Sequence, residues 1–486
     1  MTKTSKIALA ALVPVMLLAA CSDFLKGPGI SNNPNQPTSA TPDQLWVGVE
    51  VAVMAQYENY PLMLFMTWAQ GIAGSNRQWQ TYGAYTAGTT AGTANGAWDQ
   101  TYGPGGLRDL RQIRSTIPAT DSGWAGEAQV LEALYMGTAA DIWGSVPYSD
   151  ALTPQPTYDT QATVYSHVQS LLDSAIINLS ATNAGTLPIA DFFYTNDAPS
   201  WKHLAYTLKA RFLMHTAKTP GDTTYSNAIL TSVISAATLG IQSSAGDFKP
   251  LHNNQPGQQN LFYSFQFSRA GDVEPAATHI NLVKQAGEAG LLPTYYVPGV
   301  GASGSYFGAA AGSNVDPVAG ISNQDSISTF EVTTDPSAEW PFASYAENQM
   351  LLAEAQYRTG ATGAAITTLN NYRATVGASA LAPTTWHILE DILREKFVHS
   401  FFNMEPWNDY VRTCYPNTPQ PIGVNPTANY VPARLPVADD EQSSNPNVPA
   451  QPAGNPPNPN FTYPASLAKR TTIDGTTACI GQQTSP

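Results

Sequence analysis

Two apolar stripes of helical spacing, joined by glycine, constrain this chain more than any other feature. From Tyr345 to Arg358, residues Ala346, Met350, Ala353 and Tyr357 recur every three or four positions and so share one face of a helix. Glu354 stands four residues before Arg358, a spacing that lets the two side chains pair on that helix. Gly360 and Gly363 break the pattern, and Ile366, Leu369, Arg373 and Val376 define a second helix. The result is a helix–turn–helix unit from Tyr345 to Gly377.

Helical spacing recurs along the chain. Leu131, Tyr135, Thr138 and Ile142 form one stripe, with Leu134 alongside; Val164, Val168, Leu171, Leu172, Ala175 and Leu179 form another; Leu204, Leu208, Phe212 and His215 a third. Thr41, Pro42 and Asp43 read as an N-cap, a proline at the first helical position and an early acidic residue, so a further helix starts there. Small Ala353, small Ala365 twelve residues on and large Leu369 four later resemble a tetratricopeptide repeat; Tyr372, where that repeat wants a small residue, marks it as degenerate. No regular period continues through the rest of the chain, which favours irregular helix pairs inside a larger domain over a free solenoid. Between the helices lie turn-rich segments, expected as loops: Gly71–Gly106 with Trp79, Tyr82, Tyr85, Trp98 and Tyr102, then Phe248–Gly312 and Asn417–Pro464.

The stretch PVMLLAACSDFL (Pro14–Leu25) raises the question of address. Lys3 and Lys6 precede fourteen uncharged residues, Ile7 to Ala20. That is short of the ~20 apolar residues of a spanning helix and suits the apolar core of a secretory signal. Ala19 and Ala20 before Cys21 resemble a lipobox, so residues 1–20 are expected as a lipoprotein signal peptide and Cys21 as the lipidated first residue of the mature protein. The other reading is an ordinary signal peptide cut near Ala20. Residues 21–40 then serve as a polar tether. With Cys21 lipidated, Cys414 and Cys479 remain, either as a disulfide in an oxidising compartment, the expected state, or as two separate buried thiols.

Charge narrows function. Only 12% of the residues are charged, and 36 acidic against 22 basic give −14. That balance excludes the basic footprint of a nucleic-acid binder and electrostatic attachment to anionic lipid, leaving acyl chains as the anchor. The chain contains no G-x-S-x-G elbow, Walker loop, H-E-x-x-H, C-x-x-C or EF-hand loop. The pairs His203/His215 and His387/His399 are each twelve apart, not four, so satisfied or surface histidines are expected and no metal site. Glu347 and Glu354, seven apart on one helix, are expected to be solvated or capping rather than an acid/base pair, as are Asp439, Asp440 and Glu441. No catalytic residue, enzyme activity or cofactor is expected.

Five stretches, in order, resemble the SusD/RagB family of outer-membrane nutrient-binding lipoproteins: DIWGSVPYSDAL (Asp141–Leu152), WKHLAYTLKARFLMHTAK (Trp201–Lys218), YAENQMLLAEAQYRTG (Tyr345–Gly360), ILREKFVHSFFNMEPWNDYVRTCYP (Ile392–Pro416) and ARLPVADDEQSSNPN (Ala433–Asn447). Trp143, Pro147, Tyr148, Trp407, Asp409 and Arg412 within them are expected to pack the fold rather than to touch a ligand. The tail beyond Asn447 departs from the family pattern. The resemblance implies a mainly α fold, tetratricopeptide-like helix pairs with a large loop-rich capping region, as a single domain over 41–486 with insertions at about 71–106, 248–340 and 417–464. It implies a cell-surface protein, lipid-anchored in the outer membrane and facing the exterior, that captures glycan oligomers for a SusC-like TonB-dependent transporter. The alternatives are a peptide-binding member of the family or a surface glycoside hydrolase, the latter requiring two carboxylates at a set separation; a helical scaffold without a small ligand is a third. Sugar rings offer an apolar face to aromatic side chains. The expected ligand surface is therefore Asn76, Arg77, Trp79, Tyr82 and Tyr85 in one loop, with Tyr295, Tyr296 and Tyr306 in a second.

Overall fold

The computed structural model describes residues 40–85, 91–218, 225–317, 319–382, 388–413, 415–416, 432 and 434–450; Cys21, Cys414 and Cys479 lie outside the described residues, as do the signal peptide and nearly all of the tether. The helices, in order, are α1 (Pro42–Glu58), α2 (Tyr60–Trp68), α3 (Arg77–Gly83), α4 (Ala91–Tyr102), α5 (Leu107–Thr116), α6 (Ser122–Trp143), α7 (Gln161–Leu179), α8 (Ala198–Thr216) and α9 (Asn227–Ala237), then α10 (Leu261–Ser268), α11 (Ala277–Gln285), α12 (Leu292–Tyr295), α13 (Tyr345–Arg358), α14 (Thr362–Thr375), α15 (Ile388–His399), α16 (Glu405–Thr413) and α17 (Asp439–Ser444). Strands are brief. β1 (Ile72–Gly74) pairs antiparallel with β2 (Val273–Pro275), and β3 (Tyr296–Val297) with β4 (Thr329–Phe330).

The sequence signals hold where they are local. Thr41 caps α1 in a reciprocal box with Gln44, with Pro42 opening the helix. α13 ends at Thr359, and Gly360, at φ 85°, turns the chain into α14. Neighbouring helices pack in pairs, α6 on α7, α8 on α9 and α13 on α14, and the pairs stack through α7 on α8, α9 on α13 and α13 on α15. This is the tetratricopeptide-like arrangement that Ala353, Ala365 and Leu369 announced, all three fully buried. α6 is buried on every side from Gly126 to Trp143, as a helix must be when it is the centre of a bundle. Gly137 permits its approach to α8: a Cβ there would sit 2.2 Å from the Phe212 ring.

Two segments differ from the loop expectation. The Gly71–Gly106 stretch holds α3, α4 and β1, and the 248–340 stretch holds α10 to α12 with short strands. Most of their aromatic residues pack inward, which orders backbone that glycine and proline alone would have left irregular. Most of 417–464 lies outside the described residues.

At the centre the helices meet through charge. Arg211 on α8 forms a double hydrogen bond with Glu347 on α13, both contacts 2.5 Å, and donates to the Phe342 carbonyl at 2.7 Å. Lys396 on α15 reaches Glu405 at 2.8 Å and Asp409 at 3.1 Å on α16. Arg412 joins Asp409 and Glu354, each at 2.8 Å, and Arg358 adds a further bond to Glu354 at 2.6 Å. His215 stands between two carboxylates, Nδ1 at 2.8 Å from Asp141 and Nε2 at 3.3 Å from Glu405. Both ring nitrogens face acceptors, so both carry protons and the ring is an imidazolium. Glu347 and Glu354 are thus buried ion-pair members, not the solvated residues expected, because arginines from α8 and α16 reach them.

Burial depresses the His215 pKa, but Asp141 and Glu405 outweigh it and raise it to about 9. The stability this raised value confers is complete below the unfolded pKa of about 6.5 and is lost as pH rises through about 9. His215→Phe should lower the unfolding free energy in urea by about 3 kcal/mol near pH 6, the cost of stranding buried carboxylates. The gap from the parent protein should narrow as the pH passes about 9. A gap constant over that range would contradict a charged His215.

Candidate functional site

Three sequence-distant segments meet beside the β1–β2 ladder. Ser75 and Asn76 donate their backbone N–H groups to the Asp272 carbonyl at 2.8 and 3.2 Å, extending the ladder. The Asp272 carboxylate, fully buried, pairs with Arg77 from the first segment and accepts from Arg269 Nε at 2.8 Å. Arg269 continues to Gln78 Oε1 at 2.9 Å, and the Asn76 amide donates to the Gly271 carbonyl at 2.7 Å. Gln324 brings in the third segment by donating to Glu274 at 3.4 Å. Gln70, Arg77 and Tyr85 all adopt left-handed backbone, φ 51–59°, a concentration of costly non-glycine conformations in one short stretch.

These contacts frame a recess of about 350 Å³ lined by Tyr263, Gln266, Phe267, Glu274, Thr329 and Thr333, with Phe330 among its walls. α10 supplies its aromatic edge. Asn260 caps that helix by accepting from the N–H groups of Phe262 and Tyr263 at 2.9 and 3.2 Å. Phe262 turns inward against Phe402, ring centres 4.2 Å apart, whereas Tyr263 and Phe267, one turn apart, stack at 6.4 Å facing outward. Phe267 is 82% exposed. A phenyl ring held in water beside hydroxyl, amide and carboxyl groups is able to cover the apolar face of a ligand whose edges hydrogen-bond.

The residues expected to bind ligand are mostly occupied elsewhere. Trp79 is buried, packed on Tyr60, Tyr82 and Phe265 at 5.4, 5.4 and 5.7 Å. Tyr85 is buried too; its hydroxyl accepts from Gln70 and donates to the Trp68 carbonyl. Tyr296 is buried and donates its hydroxyl to His279 Nδ1 at 2.6 Å; burial holds that imidazole neutral, its pKa lowered to about 4. Tyr295 leans on Phe401, ring centres 4.7 Å apart. Tyr82 and Tyr306 are half-buried, as is Asn76, and Arg77 is exposed. Trp79, Tyr85 and Tyr296 are therefore packing residues in this conformation, because each ring completes a wall that the loop backbone cannot make. Phe267 carries a signal in the sequence: after a capping asparagine, LFYSFQFS spreads four aromatic residues too widely around the helix for one buried face to cover them all.

The family-motif residues pack the fold, as expected. Asp141 accepts from Tyr165 and His215, Pro147 accepts from the Tyr102 hydroxyl at 2.8 Å, Tyr148 donates to Glu132 at 3.1 Å and the Trp407 indole to the Pro432 carbonyl at 2.8 Å.

Among known proteins, a SusD-like family profile described as starch-binding and associating with the outer membrane matches residues 34–437. No curated protein matches the chain. Among solved structures, one described as a chitin-binding protein is 20% identical, with TM-score 0.69 over 83% of this chain and 94% of that one. A SusD-like protein from Bacteroides thetaiotaomicron is 19% identical, TM-score 0.67, over 83% and 93%. A chitin-binding SusD homologue from Flavobacterium johnsoniae is 18% identical, TM-score 0.65, over 82% and 93%.

Burial in the recess raises the Glu274 pKa to about 7, against the opposing hydrogen bond from Gln324. A carboxyl raised in this way adds stability in full below about 4.5 and loses it as pH rises through about 7. Carbon-detected NMR should show Glu274 titrating near 7, and Glu274→Gln should flatten the fall in stability between those two pH values. A Glu274 midpoint in the ordinary carboxylate range would refute the burial of its carboxyl.

Proposed function

The chain belongs to the SusD-like family, described as starch-binding and associating with the outer membrane, and from that membership we propose a cell-surface protein that captures neutral oligosaccharides for a SusC-like TonB-dependent transporter. The observation that carries the binding role is the outward-facing Phe267, stacked on Tyr263 at the edge of the recess. Asp272 pairs with both Arg77 and Arg269 behind the recess, and Tyr263, Gln266, Thr329 and Thr333 supply uncharged donors and acceptors within it, a match for hydroxyl-rich sugars. The overall charge of −14 repels polyanionic glycans. Two of the similar structures are described as chitin-binding, which makes chito-oligosaccharides the first ligands to try, beside malto-oligosaccharides. Arg77 and the half-buried Tyr82 belong to the rim of this surface in our reading, with Trp79 as support behind them.

In our reading lipidation of Cys21 supplies the attachment; no helix among the described residues is long and apolar enough to cross a membrane. A disulfide between Cys414 and Cys479 would close a loop of roughly 65 residues and add up to about 4 kcal/mol.

Calorimetry on the folded protein with chito- and malto-oligosaccharides should find Phe267→Ala weakened by about 1–3 kcal/mol, as for other exposed anchors. Trp79→Ala should instead destabilise the fold by about 3–5 kcal/mol. Undiminished sugar binding in a folded Phe267→Ala variant would place the ligand elsewhere. Fractionation of cells expressing Cys21→Ala should move the protein from the membrane to the soluble fraction; retention at the membrane would exclude the anchor.

A further inference from the structure

Glu288, Glu395 and His399 bring one carboxylate oxygen each from the two glutamates and one imidazole nitrogen to a common point, all within 4.8 Å of one another. Glu395 and His399 lie one turn apart on α15, and Glu288 follows α11. His399 Nε2 is 2.8 Å from Glu288 Oε2 and 3.6 Å from Glu395 Oε2. Tetrahedral bonds of about 2.0 Å place ligand atoms roughly 3.3 Å apart, between those two separations.

The neighbouring charge divides the carboxylates instead of consuming them. Arg373 on α14 pairs through Nη1 with Oε1 of both Glu288 and Glu395, leaving both Oε2 atoms turned toward His399. Glu395 Oε2 is buried and has no hydrogen-bond partner, an orphan that a protein interior rarely tolerates. With a neutral imidazole, two carboxylates against one guanidinium leave one negative charge. Both glutamate side chains are no more than 2% exposed and His399 is 7% exposed, so solvent contributes little to that balance.

We propose that Glu288, Glu395 and His399 bind a divalent transition-metal ion of the zinc class, held in place by Arg373 behind the two carboxylates. One nitrogen and two oxygen ligands favour such an ion over calcium, which takes oxygen ligands throughout. Binding satisfies the Glu395 orphan and replaces the hydrogen bond from His399 Nε2 to Glu288; the neutral ring then carries its single proton on Nδ1, with no net proton released. The ion staples the segment after α11 to α15, with α14 tied in through Arg373 on the two carboxylates, a structural role separate from the recess at α10.

The test uses the full mature protein, untagged and stripped with chelator. Titration with zinc chloride should give one ion per chain and a rise in melting temperature. Cobalt should give the intense visible bands of a tetrahedral nitrogen–oxygen site. Glu288→Gln and His399→Gln, each checked for native helix content, should weaken zinc binding by at least about tenfold and abolish the cobalt bands. No stoichiometric zinc binding by the parent protein would overturn the site, and so would unchanged affinity and bands in a folded Glu288→Gln variant.

Discussion

The buried ion network on α6, α8, α13, α15 and α16 is the constraint on which the rest of this structure depends. Arg211, His215, Arg358, Lys396 and Arg412 face Asp141, Glu347, Glu354, Glu405 and Asp409, so the charges balance only when His215 carries its proton. Each of these groups is costly to bury alone, and each is tolerable only if partners from other helices arrive in register. The network therefore selects one stacking of the helix pairs among the many that apolar stripes alone would permit. Burial pushes the Glu354 carboxyl up, yet Arg412 and Arg358 hold it well below the ordinary carboxylate range.

A second buried acidic group shows what happens without cations. Glu50 on α1, Glu127 on α6 and Asp191 lie near one another beneath Trp46, Trp124 and Trp201. Asp191 is satisfied by the Phe193, Tyr194 and Asn196 amides and the Trp201 indole, at 2.7–3.0 Å. Burial, with Asp191 beside them, raises Glu50 to about 10 and Glu127 to about 9, so both are neutral acids at physiological pH. The fold thus handles buried carboxylates in two ways, by pairing them with cations where helices cross and by protonating them where burial and a neighbouring carboxylate act together.

The candidate site hangs from this framework at a distance. Its geometry comes from the β1–β2 ladder and from Asp272, which gathers Arg77 and Arg269. With those guanidiniums held, α10 can present Phe267 to water, because Phe262 on the opposite face of the helix is anchored against Phe402. Rigid support behind an exposed ring lowers the entropy lost when a ligand is bound.

The sequence by itself determined the helix pairs, the start of α1, the turn at Gly360 and the packing role of the motif residues. Those features rest on interactions between residues three or four apart, or on caps and glycine conformations that act within one turn. It also carried the family through motifs whose residues, Asp141, Trp407 and Arg412 among them, hold helices together. It showed the local pair Glu354–Arg358 but not that Glu347 and Glu354 are buried, since Arg211 and Arg412, which reach them from other helices, are 136 and 58 residues away. Nor did it separate Trp79 and Tyr296, which close the core, from Phe267, which leaves it. An aromatic side chain in a glycine-rich stretch has the same local preferences in either role. Only the tertiary structure, by fixing which ring finds a wall to complete, decided which aromatic faces the solvent.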